Sequence, residues 1–326
     1  MVQKACQVFT KLFPLWIALA VVIGLVMPAP FTFLAADVPY FVGIVMLAMG
    51  LTMSLDDFKL VLSRPKEVFI GVLLRYLIMP IVAVMVSKLL HLEPILAAGF
   101  ILVGCCPSAV ASNVMAFLSK GDTALSVTIS SVNTLLSPFI TPFVFVMLVG
   151  ETVAVDPVNM LIDIAKIVLF PIALGVTIRM VAKDFVIKIL PYMPFVSTVA
   201  LLLIVLPGIA LSASRVLSVA LIAVVGVFLH NSTGLALGFF CSKKLLGLSQ
   251  KKSQAIAFEV GMENTGIAVA LALTYLNPLA AVPAAIFGAC HNLTGSALAS
   301  YWASRAVPED DTTGNVLQDV TPEKTV

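Results

Sequence analysis

Long apolar runs alternate with short polar breaks from residue 14 to residue 303. Runs of roughly 17–25 apolar residues are long enough to cross a hydrocarbon core of about 30 Å as helices. The approximate runs are 14–29, 40–55, 68–90, 94–118, 123–149, 157–180, 191–210, 214–241, 253–276 and 279–303. The pattern therefore predicts an all-α polytopic membrane protein with ten transmembrane helices.

Composition agrees with this prediction and limits the partners. The 326 residues are 60% hydrophobic and 11% charged, and the mean hydropathy is +1.11, so a water-soluble fold could not cover the apolar surface. The net charge of +2 is too small and scattered for a nucleic-acid surface. We expect contacts with membrane lipid and a small molecule, with no nucleic acid and no obligate protein partner.

The basic residues of the connections predict the orientation. With the N-terminus inside, the opposite side keeps only Lys88 and Arg215 of the Lys and Arg residues, apart from Arg75 and Lys166, which lie within predicted spans. Basic residues favour the cytoplasmic side, so both termini are expected in the cytoplasm, with the protein in the cell inner membrane. Residues 305–326 are polar without periodic apolar positions, which predicts a disordered cytoplasmic tail.

The chain divides into two halves at the polar break between residues 151 and 156. Five runs precede it and five follow, so residues 1–150 and 151–304 would enter the membrane from opposite sides, as inverted repeats do. The fourth run of each half is interrupted, by Pro107 with its polar neighbours and by Gly261 and Gly266. Paired interruptions of this kind predict the binding site of a secondary transporter.

The candidate chemistry lies at these interruptions. Glu259 and Glu263 are the only acidic residues deep within predicted spans, where an uncompensated carboxylate is costly. Sodium is a hard cation that prefers oxygen ligands, so a carboxylate beside hydroxyl and amide groups would suit it. Neighbouring oxygen-bearing side chains are Ser112, Asn113, Ser126 and Ser130. Each serine could instead bond a carbonyl of its own helix, as membrane serines often do.

Several stretches resemble the bile acid:sodium symporter family, especially bacterial homologues of the apical sodium-dependent bile acid transporter. They are Gly50-Leu-Thr-Met-Ser-Leu-Asp-Asp-Phe, Cys106-Pro-Ser-Ala-Val-Ala-Ser-Asn-Val-Met-Ala, Ala124-Leu-Ser-Val, Leu136-Ser-Pro, Phe258-Glu-Val-Gly-Met-Glu-Asn-Thr-Gly and His291-Asn-Leu-Thr-Gly. The resemblance implies a panel domain of spans 1, 2, 6 and 7 and a core domain containing the crossed, broken helices 4 and 9. It also implies sodium-coupled symport of organic anions by alternating access, without enzymatic chemistry.

The resemblance also implies particular site residues. A first sodium site would use Ser112, Asn113, Ser126, Ser130 and Glu259. A second sodium site would use Glu259, Val260, Met262 and Glu263 with a side chain at position 75. The organic anion would lie near Asn264, His291 and Asn292. His291 alone would more often be a buried, hydrogen-bonded residue.

Two residues depart from the family pattern, and both fall at the second sodium site. Arg75 and Glu263 stand where the family usually has glutamine. A lone arginine at this depth needs compensation, so we predict that Arg75 pairs with Glu263 or Glu259 and stands in for a sodium ion. The alternative is that Arg75 extends toward the cytoplasmic surface. One or two coupling sodium ions are therefore both compatible with the sequence.

Other functions are compatible with the sequence. Glu259 or Glu263 could carry a proton, which would make a proton-coupled or sodium-independent organic anion carrier, or the protein could sense a ligand without moving it. An intramembrane enzyme is disfavoured because neither His-Glu-x-x-His nor Gly-x-Ser-x-Gly occurs.

Overall fold

The computed structural model describes residues 2–53, 59, 61–150 and 153–305, and these residues are almost entirely helical. The α-helices are α1 (Val2–Lys11), α2 (Phe13–Val26), α3 (Val38–Thr52), α4 (Pro65–Leu89), α5 (Pro94–Cys105), α6 (Ala111–Leu118), α7 (Thr123–Val149), α8 (Pro157–Ile164), α9 (Phe170–Val181), α10 (Lys183–Ile189), α11 (Met193–Leu211), α12 (Ala213–Phe240), α13 (Gln250–Gly261), α14 (Thr265–Tyr275) and α15 (Val282–Ala303). A π-helical turn joins α8 to α9 and another follows α12. The predicted tail from residue 306 onward and residues 54–58 of the first quoted motif lie outside the described residues.

Six helical stretches in the described part of the chain are long and apolar enough to cross a membrane. They are Ala29–Thr52, Pro65–Leu89, Thr123–Val149, Pro157–Val181, Lys183–Leu211 and Ser218–Leu245. Shorter apolar helices include Leu15–Val26, Pro94–Cys105 and Thr265–Tyr275. Large apolar side chains such as Phe69, Met147 and Leu221 are exposed on the outer surface, as expected where lipid is the solvent. The chain is therefore a multi-pass membrane protein.

The helices pack in two groups. In one, α3 packs against α9 and α11, and α11 packs against α2. In the other, α12 packs against α4, α13 and α15, while α4 packs against α5 and α7. The contact of α3 with α9 depends on glycine. A Cβ at Gly50 would clash with the carbonyl oxygen of Ile172, and a Cβ at Gly175 would lie 2.6 Å from the carbonyl oxygen of Leu47. Small residues let these backbones approach closely.

The two interrupted helices meet at their interruptions in the second group, and this meeting place is termed the crossing point. The first interruption separates α5 from α6, and the second separates α13 from α14. Between them, Ala109 N donates to Met262 O at 3.0 Å and Asn264 N donates to Pro107 O at 2.9 Å, with Ser108 and Glu263 paired antiparallel. These bonds satisfy backbone groups that the interruptions would otherwise expose in the membrane interior. The interruptions predicted from Pro107 and Gly261 are present in the structure, whereas Gly266 lies within helix α14.

Ion pairs mark the two ends of the second group. The pairs Arg64–Asp122 (2.6 Å) and Lys252–Glu67 (3.0 Å) lie at one end, and Arg215–Glu93 (2.9 Å) lies at the other. The first two share an end because Asp122 N donates to Lys251 O. The charged side chains of these three pairs therefore lie where helices begin.

Candidate functional site

Glu259 lies at the crossing point, on the last turn of α13, and is fully buried. Three serine hydroxyl groups donate to its carboxylate. Ser108 Oγ is 2.6 Å from Oε2, while Ser112 Oγ and Ser126 Oγ are 2.5 and 2.6 Å from Oε1. The carboxylate thus connects α13 with the first interruption, with α6 and with α7.

The oxygen atoms around Glu259 outnumber the hydrogens available to separate them. Ser112 Oγ is also 2.5 Å from Ala109 O, and Ser126 Oγ is 2.9 Å from Asn113 Oδ1. Each hydroxyl has one hydrogen, so these four short oxygen–oxygen contacts share two hydrogens. With Glu259 ionised and the Asn113 oxygen facing Ser126, two contacts bring lone pair against lone pair, an arrangement that a hard cation would relieve.

Helix α7 adds two further polar groups to this cluster. Ser130 is fully buried, lies four residues after Ser126 on the same helical face, and its Oγ has no hydrogen-bond partner among the described residues. Asn133, one turn further on, donates through Nδ2 to Ser108 Oγ at 3.3 Å, and its Oδ1 is likewise unpartnered in the described part of the chain. Buried oxygens without a donor fit a cation-binding role.

Four of the five residues expected at the first sodium site are joined by these short contacts: Ser112, Asn113, Ser126 and Glu259. Ser130 joins them only by its position on α7. Neither Ser108 nor Asn133 was among the site residues predicted from the sequence. Asn133 could have been found from its seven-residue spacing to Ser126, which places both on one face of a helix.

Arg75 and Glu263 form a second buried cluster beside the first. Both side chains are fully buried, and Arg75 Nη2 donates to Glu263 Oε2 and to the carbonyl of Cys106. Arg75 Nη1 lies 3.4 Å from Gly104 O. Of the two partners predicted for Arg75, Glu259 and Glu263, the structure shows Glu263. The guanidinium is directed inward rather than toward the membrane surface.

The remaining residues expected at the second sodium site lie on the same segment. The Val260 side chain is buried where α13 crosses α12, beside Gly238. The Met262 carbonyl already accepts the backbone hydrogen bond from Ala109. Among the described Lys and Arg side chains, the buried one is Arg75. Its guanidinium is the positively charged group of the second buried cluster.

Asn264 occupies the N-terminus of α14 and is nearly buried, at 7% exposure. Its Oδ1 caps the helix by accepting from Ile267 N at 3.3 Å. Its Nδ2 makes no hydrogen bond within the described part of the chain. A donor at the positive end of a helix is a suitable group for an anion.

His291 and Asn292 lie on α15, near Asn264 but not bonded to it in the described structure. The side chain of Thr265 is 3.2 Å from the position of a Cβ on Gly288, which places the start of α14 beside this turn of α15. Asn292 Nδ2 donates to Gly288 O at 2.7 Å, and the buried His291 packs edge-on against Phe287. The three residues expected at the anion site therefore occupy neighbouring turns.

A second polar connection at the crossing point was not predicted from the sequence. Asn231 on α12 is fully buried and donates through Nδ2 to Gly261 O at 2.8 Å, while its Oδ1 accepts from Thr294 Oγ1 on α15. It therefore caps the C-terminal end of α13. The available signal was a lone amide side chain within an apolar run.

A cavity of about 340 Å³ lies between the two helix groups. Its walls include Val38 and Pro39 at the start of α3, Leu211 at the end of α11, and Leu273 and Thr274 near the end of α14. The lining is mainly apolar, and the volume is within the range of small-molecule sites.

The chain is similar in sequence to known membrane transporters. Residues 39–219, which are 181 of the 326, match the family described as "Sodium Bile acid symporter family". The chain is 41% identical over 304 residues to "Uncharacterized sodium-dependent transporter YocS" of Bacillus subtilis (strain 168), covering 93% of this chain and 94% of that protein.

Plant relatives match over a similar length. The chain is 37% identical over 308 residues to "Probable sodium/metabolite cotransporter BASS1, chloroplastic" of Oryza sativa subsp. japonica, covering 94% of this chain and 75% of the relative. The protein of the same name from Arabidopsis thaliana is also 37% identical, with 94% and 76% covered. The matched family and these relatives are transporters rather than enzymes.

Proposed function

Because the chain belongs to the sodium bile acid symporter family, we propose that it is a secondary active transporter that couples organic anion uptake to sodium entry. The observation that carries this proposal is the hydrogen-poor oxygen cluster around Glu259. A carboxylate with serine and asparagine oxygens offers a monovalent hard cation both charge and ligands. The relatives named as sodium-dependent support sodium as that cation.

The proposed architecture has ten membrane crossings in two inverted repeats, residues 1–150 and 151–304. Helices α2, α3, α8 with α9, and α11 would form the panel, and the remaining crossings would form the core. The two packing groups and the crossed interruptions support this division. Each interrupted pair, α5 with α6 and α13 with α14, counts as one crossing.

Sodium binding would stiffen the crossing point and so favour anion binding. The proposed ion at Glu259 connects α13, α6 and α7, and Asn264 begins α14 only five residues after Glu259. Fixing α13 would fix the N-terminus of α14, where the Asn264 amide and the helix dipole attract a carboxylate. The two ligands would thereby favour the same global state, which is the thermodynamic requirement for coupling.

The proposed substrate is an amphipathic organic anion, either bile acid-like or a smaller carboxylate. Its charged group would lie near Asn264, His291 and Asn292, and its carbon skeleton would face the apolar seam between panel and core. The apolar cavity between the helix groups lies farther along this seam, at the opposite end of α14 from Asn264. Movement of the panel relative to the core would open the seam alternately to the two sides.

We further propose that the protein lies in the inner membrane with both termini in the cytoplasm. The end that carries Arg64, Lys251 and Lys252 would then be cytoplasmic, and Arg215 would lie outside. Single cysteines introduced at positions 251 and 215 of a cysteine-free variant distinguish the sides. In intact cells, an impermeant thiol reagent should label position 215 alone; labelling of position 251 alone would reverse the topology.

The proposed function is tested by uptake into proteoliposomes with sodium, potassium and proton gradients imposed separately. A bile acid and small carboxylates serve as labelled substrates. We expect the sodium gradient to drive accumulation and Glu259→Gln to abolish it. Glu93→Gln makes the same chemical change in a partly exposed surface pair and should retain uptake.

The same assay decides between the alternatives. Accumulation driven by a proton gradient without sodium would indicate proton coupling, and equilibration without either gradient would indicate a sodium-independent carrier. Saturable binding of the anion without uptake would indicate a sensor. Each of these results would overturn sodium-coupled symport.

A further inference from the structure

The second buried cluster surrounds the Arg75 guanidinium with oxygen atoms. Arg75 lies between the Glu263 carboxylate and the carbonyl oxygens of Gly104 and Cys106. These carbonyls belong to the C-terminal end of α5, where the helix leaves acceptors without partners and carries partial negative charge. Thr141 Oγ1 donates to the carbonyl between them, Cys105 O, at 2.8 Å.

The guanidinium cannot exchange with the solutions on either side as a bound ion does. It is covalently part of α4, its side chain has no solvent exposure, and arginine stays protonated in proteins. It therefore supplies a permanent positive charge to the crossing point through every step of a transport cycle.

The two clusters are linked through the antiparallel pairing of Ser108 with Glu263. Ser108 Oγ also donates to the Glu259 carboxylate. Ser108 therefore contacts both Glu259 and Glu263. The charges of the two clusters must therefore be counted together. Among the described Asp, Glu, Lys and Arg side chains, the buried ones are Arg75, Glu259 and Glu263.

With histidine neutral, these three side chains sum to one negative charge. A net charge in a membrane interior is unfavourable unless it is balanced, and one monovalent cation balances it. We propose that the Arg75 guanidinium is a built-in cation that limits the protein to one bound sodium ion, held at the Glu259 cluster. This inference rests on the proposed sodium coupling and specifies its stoichiometry.

The charge count has an electrical consequence. One sodium ion with one monovalent carboxylate carries no net charge across the membrane, so uptake of such a substrate is electroneutral. A second sodium ion per cycle would make the same uptake electrogenic and accelerated by an inside-negative potential.

The test counts sodium ions on the purified protein, with ²²Na⁺ alone as the probe. We expect one ion per chain and a Hill coefficient near one. Two ions per chain would overturn the built-in cation while leaving sodium coupling intact, whereas the absence of saturable sodium binding would overturn the proposed function itself.

Two variants test whether Arg75 sets this number. Arg75→Gln removes the positive charge and leaves the carbonyls and Glu263 as ligands, so a second sodium ion should bind. Arg215→Gln makes the same chemical change in an exposed surface pair and should leave the count at one. If folded Arg75→Gln still binds one ion, Arg75 does not occupy a sodium site. If that variant does not fold, the count on the unmodified protein decides.

Discussion

Ser130 allows ligand and structural roles to be separated by one substitution. Its buried hydroxyl has no partner among the described residues, whereas the adjacent Ser131 hydroxyl donates to Val127 O of its own helix at 2.8 Å. A buried hydroxyl without a partner costs about 1–3 kcal/mol. Ser130→Ala should therefore maintain or raise the sodium-free stability, because it removes a group that bonds to nothing unless sodium is bound.

The same substitution should weaken sodium binding. One lost neutral ligand is comparable to one hydrogen bond, about 1 kcal/mol with an upper value near 1.5, so the sodium Kd should rise up to about tenfold. At a sodium concentration of 100 Kd the unmodified protein gains about 2.7 kcal/mol from the ion. A tenfold weaker variant at that concentration gains about 1.4 kcal/mol.

Thermal unfolding in detergent over a series of sodium concentrations, at constant ionic strength with potassium or choline, measures both quantities. Ser131→Ala is the matched control, since it removes a neighbouring buried hydroxyl that only bonds back to α7. We expect the control to leave the sodium Kd unchanged. The reasoning fails if Ser130→Ala lowers stability equally with and without sodium, because Ser130 would then have a structural partner and no role in binding.

Two further substitutions test the packing that holds the site. Asn231→Ala removes the amide that caps Gly261 O and should lower the unfolding free energy by about 1–3 kcal/mol. Thr274→Val loses only a hydrogen bond to its own helix and should change the unfolding free energy less in the same thermal assay. Gly50→Ala should push α3 away from Ile172 O and lower the melting temperature. Gly43→Ala on the same helix meets only an ordinary contact and should be neutral or stabilising, and equal melting temperatures for the two alanine variants would contradict the close contact.

The parts of the fold that were predictable have local causes. Apolar runs gave the positions of the long helices, and Pro107 and Gly261 marked the interruptions because proline and glycine disfavour continuous helices. Ser126 and Ser130 were identifiable because four-residue spacing places them on one helical face.

Contacts between distant segments could not be predicted from the sequence, except where a buried charge needed a partner. Ser108 meets Glu259 across 151 residues, and no local pattern specifies that register. The caps on Gly261 by Asn231 and on Cys105 by Thr141 were missed for the same reason. The pairing of Arg75 with Glu263 across 188 residues was predictable, because a buried charge needs a partner and few candidates exist.

The backbone pairing of Ser108 with Glu263 also constrains how the protein is made. The partners are 155 residues apart (263 minus 108), so at about 5–20 residues per second the first segment waits about 8–30 s for the second to be synthesised. During that interval the peptide groups around Pro107 lack their partners from the second half, and the guanidinium of Arg75 has the carbonyls of Gly104 and Cys106 but not Glu263. The N-terminal half thus depends on the insertion machinery, or on water drawn into the bilayer, until the ribosome has delivered residue 263.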